Sequence, residues 1–379
     1  MKGKWMKRKR IEELDILKGI AIILMVVGHT GIHCTRFIFL FHMALFVIAS
    51  GCTYNSRSSD NLSNVLKYIF KKVKRLWLPY FAWNSLLYLL YNWLIKINIT
   101  TDNPELLDYT ASIKIMNINY VYKYLNAQQI LHRIAALATF QGACHPIGGA
   151  LWFMGLLFFI SVGYVGIDWL IKKIFHRDTM IFQLIVSVVL LAIGYYFHLQ
   201  YRPLRGMARV ASSYHLFYFG VVFSRYRYKT EHGKKGQYLF AFLLSLGVLL
   251  AFTAAKITIN ISYNKYPNPA FFFVASLAGW GLCYTLAYFM KDTFLKVPMI
   301  EIGMRTIWIT TFHYAFFKLV TALIVKIYHL PDFCLAAFPH MYGDRGLWWL
   351  AYSIVGIAGP FLLWRIYYAV IEGIRNKGG

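Results

Sequence analysis

The chain has 379 residues, of which 59% are hydrophobic and 18% aromatic, and its mean hydropathy is +0.50. This composition excludes an ordinary soluble protein and predicts an all-α integral membrane protein, since apolar windows of about 20 residues recur along the chain. The formal charge of +25 does not indicate a nucleic-acid partner, because most lysines and arginines cluster between apolar windows, where they mark cytoplasmic loops. We therefore expect membrane lipids as partners and no nucleic acid.

Hydropathy predicts ten membrane-spanning helices in one bundle, with both termini in the cytoplasm. The chain is expected to be a single transmembrane domain, residues 1–379, with a basic cytoplasmic N-terminus at 1–15 and its largest extracytoplasmic segment at 98–146. The later part of that segment, "QQILHRIAALATF", has helical periodicity. The predicted spans are 16–32, 37–54, 76–95, 149–171, 181–199, 210–224, 238–255, 270–290, 307–327 and 347–371.

The five cysteines show no spacing typical of a metal site, and we expect no metal. Three of them, Cys34, Cys144 and Cys334, fall in predicted extracytoplasmic segments, and whether any two of them pair stays open.

The first predicted span, "LDILKGIAIILMVVGHTGIH", contains polar residues that hydropathy does not explain. Lys18 and His29 are separated by close to three helical turns, so they share one helix face about 16 Å apart. A histidine at that depth predicts either a functional site or an interhelical hydrogen bond that holds the bundle. His33, one turn further on, shares the predicted face and would complete a zinc-binding pair, but no acidic residue supports this and we expect it to be solvated.

Further polar residues lie in or beside later spans. His42 in "FHMALFVIASGCTY" is predicted at a depth similar to that of His29, as a cavity residue or a packed core histidine. The loop "KYIFKKVKRLWLPY" places Lys72 and Arg75 before the third span, where they act as topology signals or bind the phosphates of a nucleotide-like donor. No Walker A or GxGxxG sequence is present.

Two clusters complete the candidates. Trp152 opens the fourth span in "LWFMGLLF", as an interfacial aromatic or a pocket residue. The segment "EIGMRTIWITTFH" buries His313 in the ninth span and is expected to form a surface ion pair between Glu301 and Arg305.

Taken in order, "LDILKGIAIILMVVGH", "FHMALFVIASGCTY", "KKVKRLWLPY", "LWFMGLLF" and "EIGMRTIWITTFH" resemble the motifs of the membrane acyltransferase 3 family, over essentially the whole chain. The resemblance implies about ten spans and transfer of an acyl group, usually acetyl from acetyl-CoA, onto an extracytoplasmic acceptor such as a cell-surface glycan or glycolipid. It also implies a multi-pass protein of a cell membrane, which we expect to be a bacterial cytoplasmic membrane. Many relatives carry an appended esterase-like domain; without one, this chain would acylate its acceptor directly.

The resemblance also implies roles for single residues. One family motif is a basic residue followed, after ten intervening positions, by a histidine, and it corresponds to Lys18 and His29. The family's double-basic motif corresponds to Lys72 and Arg75. Lys72 stands where relatives usually have arginine, which changes the expected phosphate contact from a bidentate one to a point charge. Two further departures are Ala44 for the usual proline and Thr306 for the usual serine.

The mechanism expected on this basis is O-acyl transfer. Lys18, Lys72 and Arg75 would bind the phosphates of CoA, and His29 would be the base that activates the acceptor hydroxyl. Whether His29 instead carries the acyl group in a two-step transfer stays open. The alternative function is a transporter of a lipid-linked glycan or another amphiphile. The remaining candidates would shape the pocket or orient Lys18: Asp15, His42, Trp152 and His313.

Overall fold

A computed structural model describes residues 11–112, 121–140, 142–175, 179–200, 205–230, 235–342 and 345–377. In these residues the regular structure is helical, with only two isolated backbone bridges, which confirms the predicted all-α class. Most of the predicted basic N-terminus, residues 1–10, lies outside the described residues.

The described residues form sixteen α-helices. They are α1 (Glu12–Gly28), α2 (Thr35–Phe39), α3 (His42–Cys52), α4 (Leu62–Lys72), α5 (Leu78–Leu89), α6 (Tyr91–Lys96), α7 (Glu105–Ser112), α8 (Ala127–Ala138), α9 (Trp152–Phe175), α10 (Met180–Gln200), α11 (Arg205–Thr230), α12 (Lys235–Ala254), α13 (Pro269–Met290), α14 (Lys296–Met304), α15 (Thr306–Ile327) and α16 (Trp348–Lys377). A single π-helical turn, Val73–Trp77, joins α4 to α5.

Seven segments of the described chain are long and apolar enough to cross a membrane. They are Thr35–Cys52, Pro146–Phe175, Met180–Phe197, Lys235–Ala254, Pro269–Met290, Thr306–Ile327 and Trp348–Gly373. The other three predicted spans are helical but interrupted, shorter or more polar: α1 has 17 residues, α5 and α6 are separated at Leu90, and α11 carries several charges. The count of ten spans and the position of the termini therefore stay predictions.

Local sequence explains where several helices begin. The side chain of Asn268 caps α13 by accepting a hydrogen bond from the amide of Phe271 (3.0 Å), and Pro269 follows at the first helical position. Asn126 and Gln129 form a reciprocal capping box at the start of α8, the helix predicted from periodicity in the long extracytoplasmic segment.

The helix α1 lies at the centre of the bundle. It is apolar on nearly every side and packs against α3, α13, α14, α15 and α16. Its contact with α14 is close because glycines lie on both sides: a Cβ at Gly303 would collide with the carbonyl oxygen of Asp15, and one at Gly19 with that of Met299. This contact places the polar residues of α1 against α14 and the start of α15.

Candidate active site

One cavity of about 950 Å³ lies beside α1 and is enclosed by α3, α4, α9, the start of α15 and the loop at residues 259–262. Seven of the eight candidate residues line it, and only His313 does not. The seven come from four separate parts of the chain: Asp15, Lys18, His29, His42, Lys72, Arg75 and Trp152.

One end of the cavity, which we call the cationic end, is formed by Lys18, Lys71, Lys72 and Arg75. Among the described residues that line the cavity, Asp15 is the one carboxylate, and its Oδ1 lies 3.3 Å from the Nζ of Lys18, one helical turn further along α1. The four cations thus outnumber the single acid. Such an excess of positive charge in a partly enclosed space favours a polyanionic ligand.

The amine of Lys72 is held inside this end. Lys72 Nζ donates a hydrogen bond to Ser50 Oγ (3.4 Å) and lies 5.2 Å from the centre of the Tyr68 ring. Burial, together with the smaller effect of the neighbouring charges, Arg75 first, lowers the pKa of Lys72 to about 8. An anion bound here would counter both effects. Arg75 follows on the π-helical turn, a feature frequent at functional sites.

The other end of the cavity, the histidine end, contains His29. Its amide closes α1 by donating to the carbonyl of Val26 (3.0 Å), so His29 is the C-cap residue. Its ring packs against Phe39 and Tyr314, with centroids 5.7 Å and 5.2 Å away. Within the described part of the chain neither ring nitrogen has a hydrogen-bond partner, and the residue is partly exposed to the cavity. A ring in this state can accept a proton from a molecule in the cavity.

Two more histidines lie next to His29. His42 Nδ1 donates to the carbonyl of Ile38 (3.0 Å), which leaves Nε2 as an acceptor, and its ring stacks on Phe39 at 5.0 Å. His313 is fully buried behind His29 and donates from Nδ1 to the carbonyl of Ile309 (3.0 Å). The structure therefore brings His313 to His29 but not into the cavity lining.

Trp152 lines the cavity at the start of α9. The guanidinium of Arg209 lies 5.1 Å from the centre of its ring and donates to the carbonyl of Ser262 (3.0 Å), so Arg209 ties the tryptophan to the loop at residues 259–262. Asn260 and Ser262 add an amide and a hydroxyl to the lining. Sequence reasoning missed Arg209, Asn260 and Ser262, because neither a single arginine on α11 nor an isolated polar loop carries a motif.

Two expectations need correction. The helix α1 ends at Gly28 rather than at residue 32, because Gly31 takes a left-handed conformation (φ 85°) that ends regular helix, so the exposed His33 does not continue the face of His29. Glu301 and Arg305 do form an ion pair, but it is not a simple surface pair. The Arg305 side chain is only 11% exposed, and its guanidinium lies 3.6 Å from the centre of the Trp364 ring.

Within the described residues, Cys34, Cys144 and Cys334 form no disulfide with one another: Cys34 is exposed, Cys144 is half-buried and Cys334 is buried.

Comparison with known proteins identifies the family. A family model described as an acyltransferase domain, that of the acyltransferase 3 family, matches residues 11–365. The chain belongs to this family. Comparisons with curated proteins and with solved structures found no match.

The matched region includes every residue of the cavity, so the cavity belongs to the acyltransferase domain. The residues that the motif resemblance singled out in the acyltransferase 3 family, Lys18 with His29 and Lys72 with Arg75, meet there. Between the two ends the lining is largely apolar, with Met25, Met43 and Leu157 among its side chains. An acyltransferase needs a site for an activated donor, a path for its acyl group and a base for the acceptor, and the cavity offers all three kinds of surface.

Proposed function

We propose that this acyltransferase moves an acetyl group from cytoplasmic acetyl-CoA onto a hydroxyl of an extracytoplasmic cell-surface glycan or glycolipid. The observation that carries the proposal is the single cavity that joins four cations to His29. Lys18 and His29 lie on the same helix, eleven positions apart, which corresponds to about 16 Å. One extended donor can therefore touch both ends.

The donor would bind with its phosphates among Lys18, Lys72 and Arg75. Hydrogen bonds from these cations to phosphate are charge-assisted and therefore stronger than those between neutral groups. Its pantetheine arm would follow the apolar middle of the cavity. The thioester carbonyl would then lie beside His29. Asp15 would orient Lys18 through the ion pair described above.

In the chemical step, His29 takes the proton of the acceptor hydroxyl as that oxygen attacks the thioester carbonyl carbon. A carbon–oxygen bond forms, the carbon–sulfur bond breaks, and CoA leaves as a thiolate that receives the proton from the His29 imidazolium. Both ring nitrogens of His29 lack a partner within the described chain, which leaves one of them available for this transfer. His42 and Trp152 shape the histidine end without taking part in the step.

The acceptor would reach His29 past Trp152 and the loop at residues 259–262. Binding sites for sugars need a few polar groups on a mainly apolar and aromatic surface, and Trp152, Asn260 and Ser262 provide that combination. The acceptor sugar and the position that is acetylated are not part of the proposal.

The test uses membranes that contain their own acceptor glycan. Membranes from cells that express the intact protein or His29→Ala at equal levels are given radiolabelled acetyl-CoA, and glycan-bound label is counted. We expect His29→Ala to lower the rate by about 100- to 10,000-fold, the usual contribution of a general base. His33→Ala is the matched control, because His33 is exposed and four residues away, and it should leave the rate unchanged. Undiminished labelling with His29→Ala would overturn the proposed role of His29.

A further inference from the structure

The helix α4 has an apolar stripe that no described part of the chain covers. Leu62, Leu66 and Phe70 are spaced four residues apart, so they share one face of the helix, and they are 53%, 56% and 60% exposed. Three large apolar side chains in this arrangement are unfavourable in water. The stripe therefore needs an apolar environment outside the chain.

Lysines border this stripe on one side. Lys67 and Lys71 each lie one helical position beyond a stripe residue, and both are exposed, although Lys71 also lines the cavity. Lys74 is also exposed, and its Nζ lies 4.5 Å from the centre of the Phe70 ring. Apolar side chains flanked by lysines on a strongly amphipathic helix are typical of helices that lie in the membrane interface and contact anionic headgroups.

The remaining side of α4 faces the protein and the cavity. Val65 is buried, while Tyr68 and Lys72 line the cavity at its cationic end. One short helix thus presents an apolar stripe and a lysine border outward and a donor-site lysine inward. Because a helix moves as a rigid unit, a displacement of the outer face displaces Lys72 as well.

We propose that α4 lies in the interface of the membrane and binds anionic phospholipid headgroups through Lys67 and Lys74, with Leu62, Leu66 and Phe70 among the acyl chains. The bound lipid holds Lys72 in its place at the cationic end of the cavity. The lipid contact stands by itself, whereas its effect on acetyl-CoA rests on the proposed function.

The lipid contact is tested with the full chain in nanodiscs of phosphatidylcholine alone or of phosphatidylcholine and phosphatidylglycerol at 7:3. Hydrogen–deuterium exchange of the α4 peptide is followed by mass spectrometry. We expect severalfold slower exchange in the anionic discs, since each lysine near an anionic surface contributes about fivefold to the binding equilibrium. The double variant Lys67→Gln/Lys74→Gln, which leaves the cavity lining intact, should lose most of this difference. Lys235→Gln, an exposed lysine on α12, should keep it.

Equal exchange of α4 in the two kinds of disc would overturn the proposal, and so would an anionic-lipid effect that persists in the Lys67/Lys74 variant. If α4 is fully protected from exchange in phosphatidylcholine alone, burial of the stripe explains the protection without headgroup binding. That result would also contradict the proposal.

The link to the donor site is tested without changing any charge. Leu66→Ser/Phe70→Ser should weaken acetyl-CoA binding severalfold in anionic discs, while Leu243→Ser/Leu250→Ser on α12, where both residues are about as exposed, should not. Unchanged affinity in the α4 variant would overturn the link. If the unmodified protein binds no acetyl-CoA in any disc, the proposed function fails, and the exchange data still decide the lipid contact.

Discussion

The imidazole rings of His29 and His313 lie 5.8 Å apart, centroid to centroid, and are stacked with 24° between their planes. His313 is itself held by hydrogen bonds from Nδ1 to the carbonyls of Ile309 and Thr310. Its ring is therefore a fixed surface against which the ring of His29 packs. In the proposed mechanism His313 is a positioning residue, since it does not line the cavity.

This relationship predicts different effects for two substitutions of His313. His313→Phe keeps an aromatic surface behind His29 and should retain the rate of glycan acetylation within a few-fold. His313→Ala removes that surface and should lower the rate by about tenfold or more, the consequence of a misplaced catalytic group. The dissociation constant of acetyl-CoA, measured on the same membranes, should stay constant in both variants. If both variants lose the same fraction of the acetylation rate, His29 is positioned by the imidazole nitrogens of His313 and not by its aromatic surface.

The depressed pKa of Lys72, about 8, predicts how donor binding depends on pH. Lys72 is charged below that pH and loses its charge above it, while a bound phosphate favours the charged form. The dissociation constant of acetyl-CoA should therefore be flat near pH 7 and rise by up to tenfold per pH unit above about pH 8. Titration of acetyl-CoA binding at a series of pH values between about 6.5 and 9.5 measures this dependence of the dissociation constant.

Two variants separate Lys72 from other titrating groups. Lys72→Arg keeps its charge at every pH used and should remove the rise. Lys72→Gln should bind weakly throughout, with little dependence on pH. A rise that is the same in the arginine variant would assign the pH dependence to another residue.

The shared cavity predicts the kinetic order of the reaction. Because the cationic end and His29 belong to one cavity, donor and acceptor can be bound together, which favours direct transfer. Initial rates with both substrates varied should give intersecting lines, and acid quenching should trap no acetyl group on the protein. Trapped label that disappears in His29→Ala, together with ping-pong kinetics, would establish a covalent route through His29.

The close contact of α1 with α14 predicts a stability effect at Gly303. Gly303→Ala places a methyl group against the carbonyl of Asp15, so we expect a loss of about 1–3 kcal/mol in the free energy of unfolding. Gly163→Ala in α9 is the matched control, because nothing lies within 4 Å of a Cβ there and alanine favours helix by up to about 1 kcal/mol. Thermal unfolding in detergent compares them. If the two variants unfold at the same temperature, the α1–α14 contact is looser than described.

A buried carboxylate on α9 predicts a second stability effect. Asp168 accepts hydrogen bonds from Tyr54 (2.9 Å) and from the hydroxyl of Ser59, and it lies 3.7 Å from Lys172 Nζ. Asp168→Asn should lower the free energy of unfolding by about 1–3 kcal/mol, because buried donors lose a charged acceptor.

Asp60→Asn provides the comparison for Asp168. The side chain of Asp60 is a second partner of Lys172 and is 51% exposed. Its loss should therefore lower the free energy of unfolding by less than about 1 kcal/mol. Denaturation of the two variants in the same detergent measures the difference. Equal losses would show that burial does not set the strength of this network.

The helical class follows from the hydropathy of the amino-acid sequence, which also locates several helices well: the predicted spans 270–290 and 307–327 agree with α13 and α15 to within one residue. The sequence also determined the alignment of Lys18 with His29, because both lie on or at the end of one helix and the spacing of a helix is local. Three predicted spans stay predictions, because the helices at those positions are short, broken or polar: α1, α5 with α6, and α11.

Which polar residues meet depends on how the helices pack. His313 reaches His29 from nearly 300 residues away, Lys72 reaches Ser50 across a loop, and Arg209 joins Trp152 to Ser262. The physical reason is that helix formation depends on neighbours along the chain, whereas a cavity depends on which helix faces pack together. Periodicity identifies a polar residue on a face, but packing chooses the partner of that face.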